Sequence, residues 1–391
     1  MRHKRRNTYT THILCVLACW LALAAQAAGE PGAGSNGVPP WGIGPFVRDD
    51  GADQLRPNPD SVFACPVTGK PVRWEDKDIL CAAATVKDGQ VFVFYRAEDK
   101  SRGDSWGTSR LGLAISPDGR HFVRRPAPVL YPDNDFMKKY EWPGGCQDPR
   151  IVEADDGSYV MTYTAWDGKA ARLCVATSPD LYHWTKRGLA IGNCRGGKYR
   201  DTWSKSGAIV CRRDGSRFIA QKIHGQYWMY FGDTGARIAT SENLVDWTVV
   251  EDAQGNPLTP LPARPGKIDS LVTEPGPPAF LTERGILLLY NAGANRPDLG
   301  LTGTVWAVAQ ALFDPADPTR LLDRMDSDFF HPERDFEIRR AGSRDSGNGN
   351  VTFVESLIWL NGSWRFYYGC ADSLVASAVC GPPGMPTPRP K

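Results

Sequence analysis

The chain has 391 residues, of which 41% are hydrophobic, 23% are charged and 10% are aromatic. This composition can bury a large core, and it excludes disordered, collagen-like and coiled-coil proteins. The net charge is +2, but four bases and no acids lie in the first 27 residues, so 42 bases face 44 acids in the remainder. That balance gives no electrostatic reason to expect nucleic acid or an anionic membrane as a partner.

Residues 1–27 have the pattern of a signal peptide. A basic start precedes an apolar run from Ile13 to Ala25, and Ala25-Gln26-Ala27 fits a small-x-small cleavage site. A membrane anchor is the alternative, but 13 helical residues span only about 20 Å, short of the roughly 30 Å hydrocarbon core. We therefore expect an exported protein, periplasmic or secreted, without a membrane span. Residues 28–44 are predicted to be a linker, and residues 381–391 a Pro-rich tail.

Eight cysteines follow the predicted signal peptide. An even number of cysteines in an exported chain predicts disulfide bonds, although the sequence leaves their pairing open. The sequence contains no Cys-x-x-Cys pair and no His-rich cluster, so it gives little support for a zinc site. We expect no metal and no cofactor.

A repeated phrase recurs along the chain. An Ala-x-Ser phrase ends a strand-like run at Ser116, at Ser178 and at Ser241, with spacings of 62 and 63 residues. Each phrase follows a short aromatic or β-branched run that begins after a turn, which is the pattern of a β-hairpin. Two later units, near residues 285–313 and 364–379, keep the strand rhythm with looser phrases.

Five such units of four strands predict an all-β fold, a five-bladed β-propeller over residues 45–380. A large β-sandwich also has frequent strands, but it does not explain the repeated phrase.

The segment from Gly103 to Gly107 matches the Gly-x-Ser-x-Gly pattern of serine hydrolases. That motif needs a strand-to-helix turn, whereas a strand is predicted to follow here, so we interpret the match as accidental.

Acidic residues recur at the ends of the predicted strands. Asp148 lies between Gln147 and Pro149, and Asp233, Glu274 and Asp372 occupy similar places in later units. Taken singly, each acid is more simply a solvated loop residue. At equivalent places in successive repeats they suit glycoside hydrolysis, in which one carboxyl protonates the leaving oxygen and another activates water.

These segments resemble glycoside hydrolase family 130, the mannoside phosphorylases and β-mannosidases. The resemblance is carried by Gln147-Asp148-Pro149-Arg150-Ile151, by Tyr163-Thr164-Ala165, and by the phrase from Ser178 to Trp184, and it covers roughly residues 45–380. It implies a five-bladed propeller, and it implies that Asp148 is the proton donor, acting through the mannose 3-hydroxyl. Two positions depart from the family pattern: Gln147 replaces a Glu, and Cys81 stands where the family has a sugar-contacting Asn.

The resemblance also separates two reactions. The family's phosphorylases carry a basic His-Arg pair where this chain has Phe231-Gly232, and its hydrolases place two acids around a water molecule. Asp233 and Glu274 fall where those acids would be, so an inverting, exported β-mannoside hydrolase is predicted, acting on short manno-oligosaccharides. The sugar contacts implied by the resemblance are Arg96, Asp104, Arg150, Lys205, Tyr290 and Asp372.

Three alternatives remain open. The chain could be a phosphorylase of the same family, or a different five-bladed glycosidase such as an arabinan-degrading one. It could also be a sugar-binding propeller without catalysis, because Cys81, Gln147 and Asp233 all depart from the family pattern. The sequence leaves the linkage, the chain length of the substrate and the oligomeric state undefined.

Overall fold

The computed structural model describes residues 37–103, 106–338 and 349–381. The predicted signal peptide, most of the predicted linker, Asp104 and nearly all of the predicted tail lie outside these residues. Among the described residues the helices are short: an α-helix at Lys138–Glu141 and 3-10 turns at Cys194–Gly197 and Pro297–Leu299. None of these helices has the length and apolar character needed to cross a bilayer.

The described strands fall into antiparallel units that follow one another along the chain. Three strands precede the first unit: β1 Val47–Arg48, and the hairpin β2 Asn58–Cys65 with β3 Lys70–Glu75. The first unit contains β4 Asp78–Lys87, β5 Gln90–Glu98, β6 Ser109–Ser116 and β7 Val123–Arg124. The second contains β8 Gly145–Glu153, β9 Tyr159–Trp166, β10 Ala171–Ser178 and β11 Thr185–Leu189.

The later strands repeat this arrangement. The third unit pairs β12 Ala208–Ile209, β16 Gln226–Phe231, β17 Gly235–Ser241 and β18 Thr248–Val249, and β15 Lys222–Ile223 and β19 Leu261–Pro262 flank it. The fourth contains β20 Val272–Pro275, β21 Phe280–Thr282, β22 Gly285–Asn295, β23 Thr304–Phe313 and β24 Leu321–Arg324. The fifth contains β25 Asn350–Val354, β26 Ile358–Leu360, β27 Ser363–Cys370 and β28 Leu374–Cys380.

Two pairings tie distant parts of the chain together. Strand β1 pairs antiparallel with β28, with Val47 opposite Val379, so the N-terminal strand completes the fifth unit. The hairpin of β13 Cys211–Asp214 and β14 Arg217–Ala220 pairs with β8 on one side and with β21 on the other. The all-β class is confirmed. The pairings form sheets of 20, six and two strands, and none of them closes into a ring among the described strands, so the five-bladed propeller stays a prediction.

The repeated phrase has a local structural cause. In each phrase the serine hydroxyl accepts a hydrogen bond from the backbone N–H three residues later. The distances are 2.8 Å from Gly119 to Ser116, 2.8 Å from Leu181 to Ser178 and 2.9 Å from Leu244 to Ser241. Each of these turns places its fourth residue in the left-handed region, with φ of 74° at Gly119 and 76° at Leu181. The phrase therefore recurs because the same serine-stabilised turn ends the third strand of three successive units.

The predicted disulfide bonds are absent from the described residues. All eight cysteines there are free thiols, and every one is buried. Most of them pack in the hydrophobic clusters, Cys146 and Cys174 in one and Cys194 and Cys211 in another. The even count was a misleading signal, because a free cysteine also serves as a small apolar core residue.

Candidate active site

A pocket of about 320 Å³ opens where the five units meet. The first unit and its flanks supply half of its lining, and each of the other units or its flanking segment contributes at least one residue. The lining residues are Lys77, Asp78, Leu80, Cys81, Arg96, Glu98, Trp106, Asp148, Lys205, Glu274, Trp306, Val351, Phe353 and Asp372. The strand ends therefore bring five carboxylates and three cations into one small volume.

Asp148 lies at an irregularity in strand β8. The pairing of β8 with β9 shifts register between Gln147 and Arg150, and Asp148 has φ of 50°. Aspartate tolerates this left-handed conformation better than most residues, and a bulge redirects a side chain out of the regular alternation. The side chain is only 4% exposed, yet it reaches the pocket.

Two cations hold the Asp148 carboxylate. Arg96 Nη1 donates to Oδ1 at 3.2 Å, and Lys205 Nζ lies 3.4 Å from Oδ2. Burial alone would raise the pKa of Asp148, but Lys205, Arg96 and Arg150 outweigh it and lower the pKa to about 2. In the absence of substrate the carboxyl is therefore ionised at neutral pH, and a proton donor at this position needs a source for its proton.

Glu274 shares Lys205 with Asp148. It lies on β20 with 1% exposure, its Oε1 is 3.1 Å from Lys205 Nζ, and the Ser206 hydroxyl also donates to it. Burial raises the pKa of Glu274 above its ordinary value, against the opposing effect of Lys205 and Arg150. The same carboxylates raise the pKa of Lys205, although its burial acts in the opposite direction. Asp148, Lys205 and Glu274 thus form one charged chain across the pocket.

Asp233 lies beside this group, outside the residues that line the pocket. Its carboxylate is half-buried and accepts the indole N–H of Trp203 at 2.8 Å, and its backbone carbonyl accepts the N–H of Thr273 at 3.0 Å. The backbone contact keeps it next to the strand of Glu274. Of the predicted water-activating pair, Glu274 lines the pocket together with Asp148. Asp233 lies at the edge of the pocket.

Two of the predicted sugar contacts are buried behind the pocket. Arg150 is 1% exposed and donates to the carbonyls of Asp148, Pro275 and Gly276 at 2.8–3.0 Å. Tyr290 has no exposed surface, and its hydroxyl donates to Asp269 at 2.8 Å. Neither lines the pocket in this structure, and direct sugar contact by either residue stays a prediction. The polar atoms of both residues bond to protein groups in the interior, the carbonyls of Pro275 and Gly276 for Arg150 and Asp269 for Tyr290.

Three of the four remaining predicted contacts lie in the pocket. Arg96, Lys205 and Asp372 line the pocket, whereas Asp104 lies outside the described residues. Asp372 has φ of 50° in the turn between β27 and β28. The roles of these residues in binding sugar stay predictions.

Other pocket residues were missed at the sequence level. The Glu98 carboxylate accepts hydrogen bonds from Lys77 at 2.6 Å, from Arg96 at 3.1 Å and from the backbone N–H of Gly107 at 2.7 Å. It therefore organises the first unit's side of the pocket. Trp306 and Phe353 form an apolar wall, with ring centroids 5.5 Å apart. Their signal, an aromatic residue within an apolar strand, is indistinguishable from that of an ordinary core residue.

Glu355 is a further residue that sequence reasoning missed. It follows β25 with no exposed surface, and Arg150 Nη1 lies 2.9 Å from its Oε1. Burial raises the pKa of Glu355 to about 8, against the effect of Arg150, and the nearby Asp148 and Glu274 raise it further. The available signal was a single acid inside the apolar run from Val351 to Leu360.

One group among the described residues has the spacing of metal ligands. The ligand atoms of Cys81, Asp148 and Glu355 lie within 4.8 Å of one another. However, Arg96, Lys205 and Arg150 already contact these carboxylates, and their positive charges oppose a bound cation. The donor set therefore fits proton chemistry better than metal binding.

Comparison with known proteins identifies the family. Residues 76–381 match the model of glycoside hydrolase family 130, described as β-1,4-mannooligosaccharide phosphorylase. The chain belongs to glycoside hydrolase family 130. The family predicted from the Asp148 segment is thereby confirmed, and the chain is an enzyme of a mannoside-processing family.

Individual relatives differ in the reaction they are named for. The 1,2-β-oligomannan phosphorylase of Thermoanaerobacter sp. (strain X514) is 27% identical over 78% of this chain and 90% of its own length. A glycosyl hydrolase from Bacteroides ovatus is 42% identical, with a TM-score of 0.84 over 90% of this chain and 97% of its own. Another solved structure, also 42% identical with a TM-score of 0.84, covers 91% of this chain and 99% of its own. It is described with glycoside hydrolases of this family that target β-1,2-mannosidic linkages in Candida mannan.

Proposed function

We propose that this protein cleaves β-1,2-mannosidic bonds with water as the acceptor. The observation that carries the proposal is the chain of Asp148, Lys205 and Glu274 in one pocket, with contacts of 3.4 Å and 3.1 Å to the same ammonium group. Asp148 would protonate the leaving oxygen, directly or through a sugar hydroxyl, and Glu274 would take the proton of the attacking water. The β-1,2 linkage is suggested by the names of the relatives.

The charges of the pocket favour water over phosphate. Each cation that lines it among the described residues already contacts carboxylates: Lys77 contacts Glu98, Arg96 contacts Asp148 and Glu98, and Lys205 contacts Asp148 and Glu274. A phosphate dianion would have to displace these carboxylates or be repelled by them. The 42% identical structure described with hydrolases agrees with this argument.

Phosphorolysis is the second candidate, and the names of the curated relatives favour it over hydrolysis. The family model is described as a phosphorylase, and so is the Thermoanaerobacter relative. In that case Lys205, at the centre of the pocket, would be the cation expected to hold phosphate. The two reactions share Asp148 as the acid and differ in what attacks the sugar.

The stereochemistry tests the mechanism further. The nearest oxygens of Asp148 and Glu274 are at most about 6.5 Å apart, because contacts of 3.4 Å and 3.1 Å meet at Lys205 Nζ. This limit is at the short end of the range for inverting enzymes, about 6.5–9.5 Å, and retaining enzymes have about 5–5.5 Å. Inversion predicts that α-mannose appears first in a proton NMR time course, whereas initial β-mannose would overturn it.

The deciding experiment incubates β-1,2-mannobiose and β-1,4-mannobiose with and without inorganic phosphate. Hydrolysis predicts mannose at the same rate in both conditions, whereas mannose 1-phosphate formed only with phosphate would establish phosphorolysis. Asp148→Asn is the control for contaminating activity. Arabinan oligosaccharides in the same panel test the other propeller glycosidase, and calorimetric binding without turnover would support a sugar-binding protein.

We also propose that the five units are blades of a propeller around this pocket. All five units contribute to the lining, and β1 pairs with β28 as a chain terminus would when it closes a ring. A crystal structure tests this arrangement directly.

Export by the segment 1–27 is likewise a proposal. It is tested by fractionating cells that express the full chain and by sequencing the N-terminus of the mature protein.

A further inference from the structure

Glu355 is a buried carboxyl group that the reaction proposed above does not use. It has no exposed surface, and neither of its carboxyl oxygens makes a hydrogen bond with a described protein group. Its closest charged neighbour is Arg150, at 2.9 Å. Because buried polar groups are almost always hydrogen-bonded, a carboxyl left in this state requires an explanation of its own.

The groups that face Glu355 come from several strands and the segment before β12. They are Cys81 on β4, Asp148 and Arg150 on β8, Lys205 in the segment before β12, and Glu274 on β20. Besides Arg150, Cys81 and Asp148 are near neighbours, with ligand atoms within 4.8 Å of Glu355 and of each other. Glu355 therefore stands directly behind the predicted proton donor.

The surroundings push the two carboxyl groups apart in acidity. Burial raises the pKa of Glu355 to about 8, whereas Lys205, Arg96 and Arg150 overcome burial at Asp148 and lower its pKa to about 2. Between these values the pair holds one proton, and that proton rests on Glu355. Neighbouring carboxyl groups with opposed environments commonly divide acid and base roles in this way.

We propose that Glu355 is a positioning residue that stores the proton delivered by Asp148 to the leaving oxygen. This inference rests on the proposed cleavage reaction. When the glycosidic bond breaks, the O–H bond of Glu355 breaks and its proton passes to the Asp148 carboxylate, which passes a proton to the leaving oxygen. The attacking water gives one proton to Glu274, which releases it to solvent, and Glu355 regains a proton from solvent.

A short gap separates the two carboxyl groups. Their ligand atoms lie within 4.8 Å, and an O–H···O hydrogen bond needs about 2.5–3.0 Å. The proposal requires one side chain to rotate across this gap or a donor to bridge it, and the thiol of Cys81, within the same distance of both groups, offers such a donor. In this proposal substrate binding weakens the hold on Asp148, because a sugar in the pocket would compete for Arg96 and Lys205, which line it.

The first test compares the pH dependence of kcat/KM for the full-length parent and Glu355→Gln. The parent loses activity as pH rises through the value at which the pair gives up its single proton. Gln has the same size and cannot store the proton, so the alkaline limb moves to lower pH by at least about one unit, with roughly a tenfold loss at about pH 8. Glu355→Asp, which keeps an ionisable group, retains the parent limb.

The matched control is Glu141→Gln. Glu141 is also a fully buried carboxyl, whose pKa burial raises, but it bonds to Tyr163 and Lys186 outside the pocket. This variant leaves the alkaline limb where the parent has it, whatever its effect on stability. If Glu355→Gln lowers kcat/KM by the same factor at every pH and leaves the alkaline limb in place, as the control does, Glu355 has only a structural role and the proposal is overturned.

A second measurement needs no substrate. Infrared difference spectra between about pH 6 and pH 9 detect the carbonyl band of a protonated carboxyl group, and the parent shows a band that Glu355→Gln lacks. A band that persists in Glu355→Gln places the proton elsewhere and overturns the storage role even in an inactive protein. Failure of the parent on every mannoside, by contrast, overturns the proposed function and is seen in the product assay alone.

Discussion

Arg96 Nη1 donates to Oδ1 of Asp148 at 3.2 Å and links strand β5 of the first unit to strand β8 of the second. The same guanidinium donates to Glu98 at 3.1 Å, so it is held from both sides. Charge-assisted bonds of this kind fix orientation as well as adding stability. The predicted acid is therefore positioned by a residue of the neighbouring unit, and its position depends on how the two units pack.

Asp148→Asn is predicted to lower kcat/KM by about 10²–10⁴-fold, which is the usual contribution of a general acid. Asn keeps the size of the side chain, so calorimetry is expected to show that mannobiose still binds. Activity within a few fold of the parent would contradict the role assigned to Asp148.

The same substitution has a pH-dependent effect on stability. Because the pKa of Asp148 is lowered in the folded protein, its ionised form stabilises the fold at pH values above the ordinary pKa of 3.8. This stabilisation is lost as pH falls toward about 2. We expect Asp148→Asn to have a lower Tm than the parent at pH 7, and we expect the two Tm values to converge in acid. A Tm difference that stays constant down to about pH 2.5 would contradict the ion pairing described here.

Ser206→Ala is predicted to move the acid limb of the kcat/KM profile to higher pH. The Ser206 hydroxyl donates to Glu274 and favours its ionised form, so its loss raises the pKa of Glu274 beyond the increase that burial already causes. If Glu274 is the base, activity falls as pH drops through that pKa, and the limb follows it upward. Ser204→Ala is the control, because Ser204 is equally buried but accepts the N–H of Leu173.

Arg150→Lys is predicted to destabilise the protein with little effect on KM. Lysine cannot reproduce the contacts of Arg150 with the carbonyls of Pro275 and Gly276. Their loss should lower the free energy of unfolding by about 1.5–3 kcal/mol, measured by urea denaturation. Arg96→Lys is the comparison, since Arg96 lines the pocket and its substitution should raise KM. A raised KM with unchanged stability for Arg150→Lys would contradict this structural role and favour direct sugar contact.

The buried thiols predict that reductant leaves Tm unchanged. The eight cysteines of the described residues are free and buried, so native protein should resist alkylation and denatured protein should react at all eight. Mass spectrometry counts the added groups. A fall in Tm with reductant would show that disulfide bonds form in the native protein after all.

Much of the site was readable along the chain. The combination of Asp148 with Pro149 and Arg150 marked both the family and the predicted acid, and it lies where the pairing of β8 with β9 shifts register. The serine phrases predicted the repeat, since each forms its turn through contacts within four residues. Contacts this local are governed by neighbouring residues, whatever the rest of the fold does.

Short-range patterns along the chain were enough to predict the all-β class, the repeating turns, the family and the identity of the predicted acid. Which polar residues reach the pocket became visible only in the folded chain. The fold buried Arg150 and Tyr290, placed Asp233 at the edge, left the thiols unpaired and set Glu355 behind Asp148. These outcomes depend on how strands far apart in the chain pack together, and burial, with the charges it brings close, then sets the acidity of each carboxyl group.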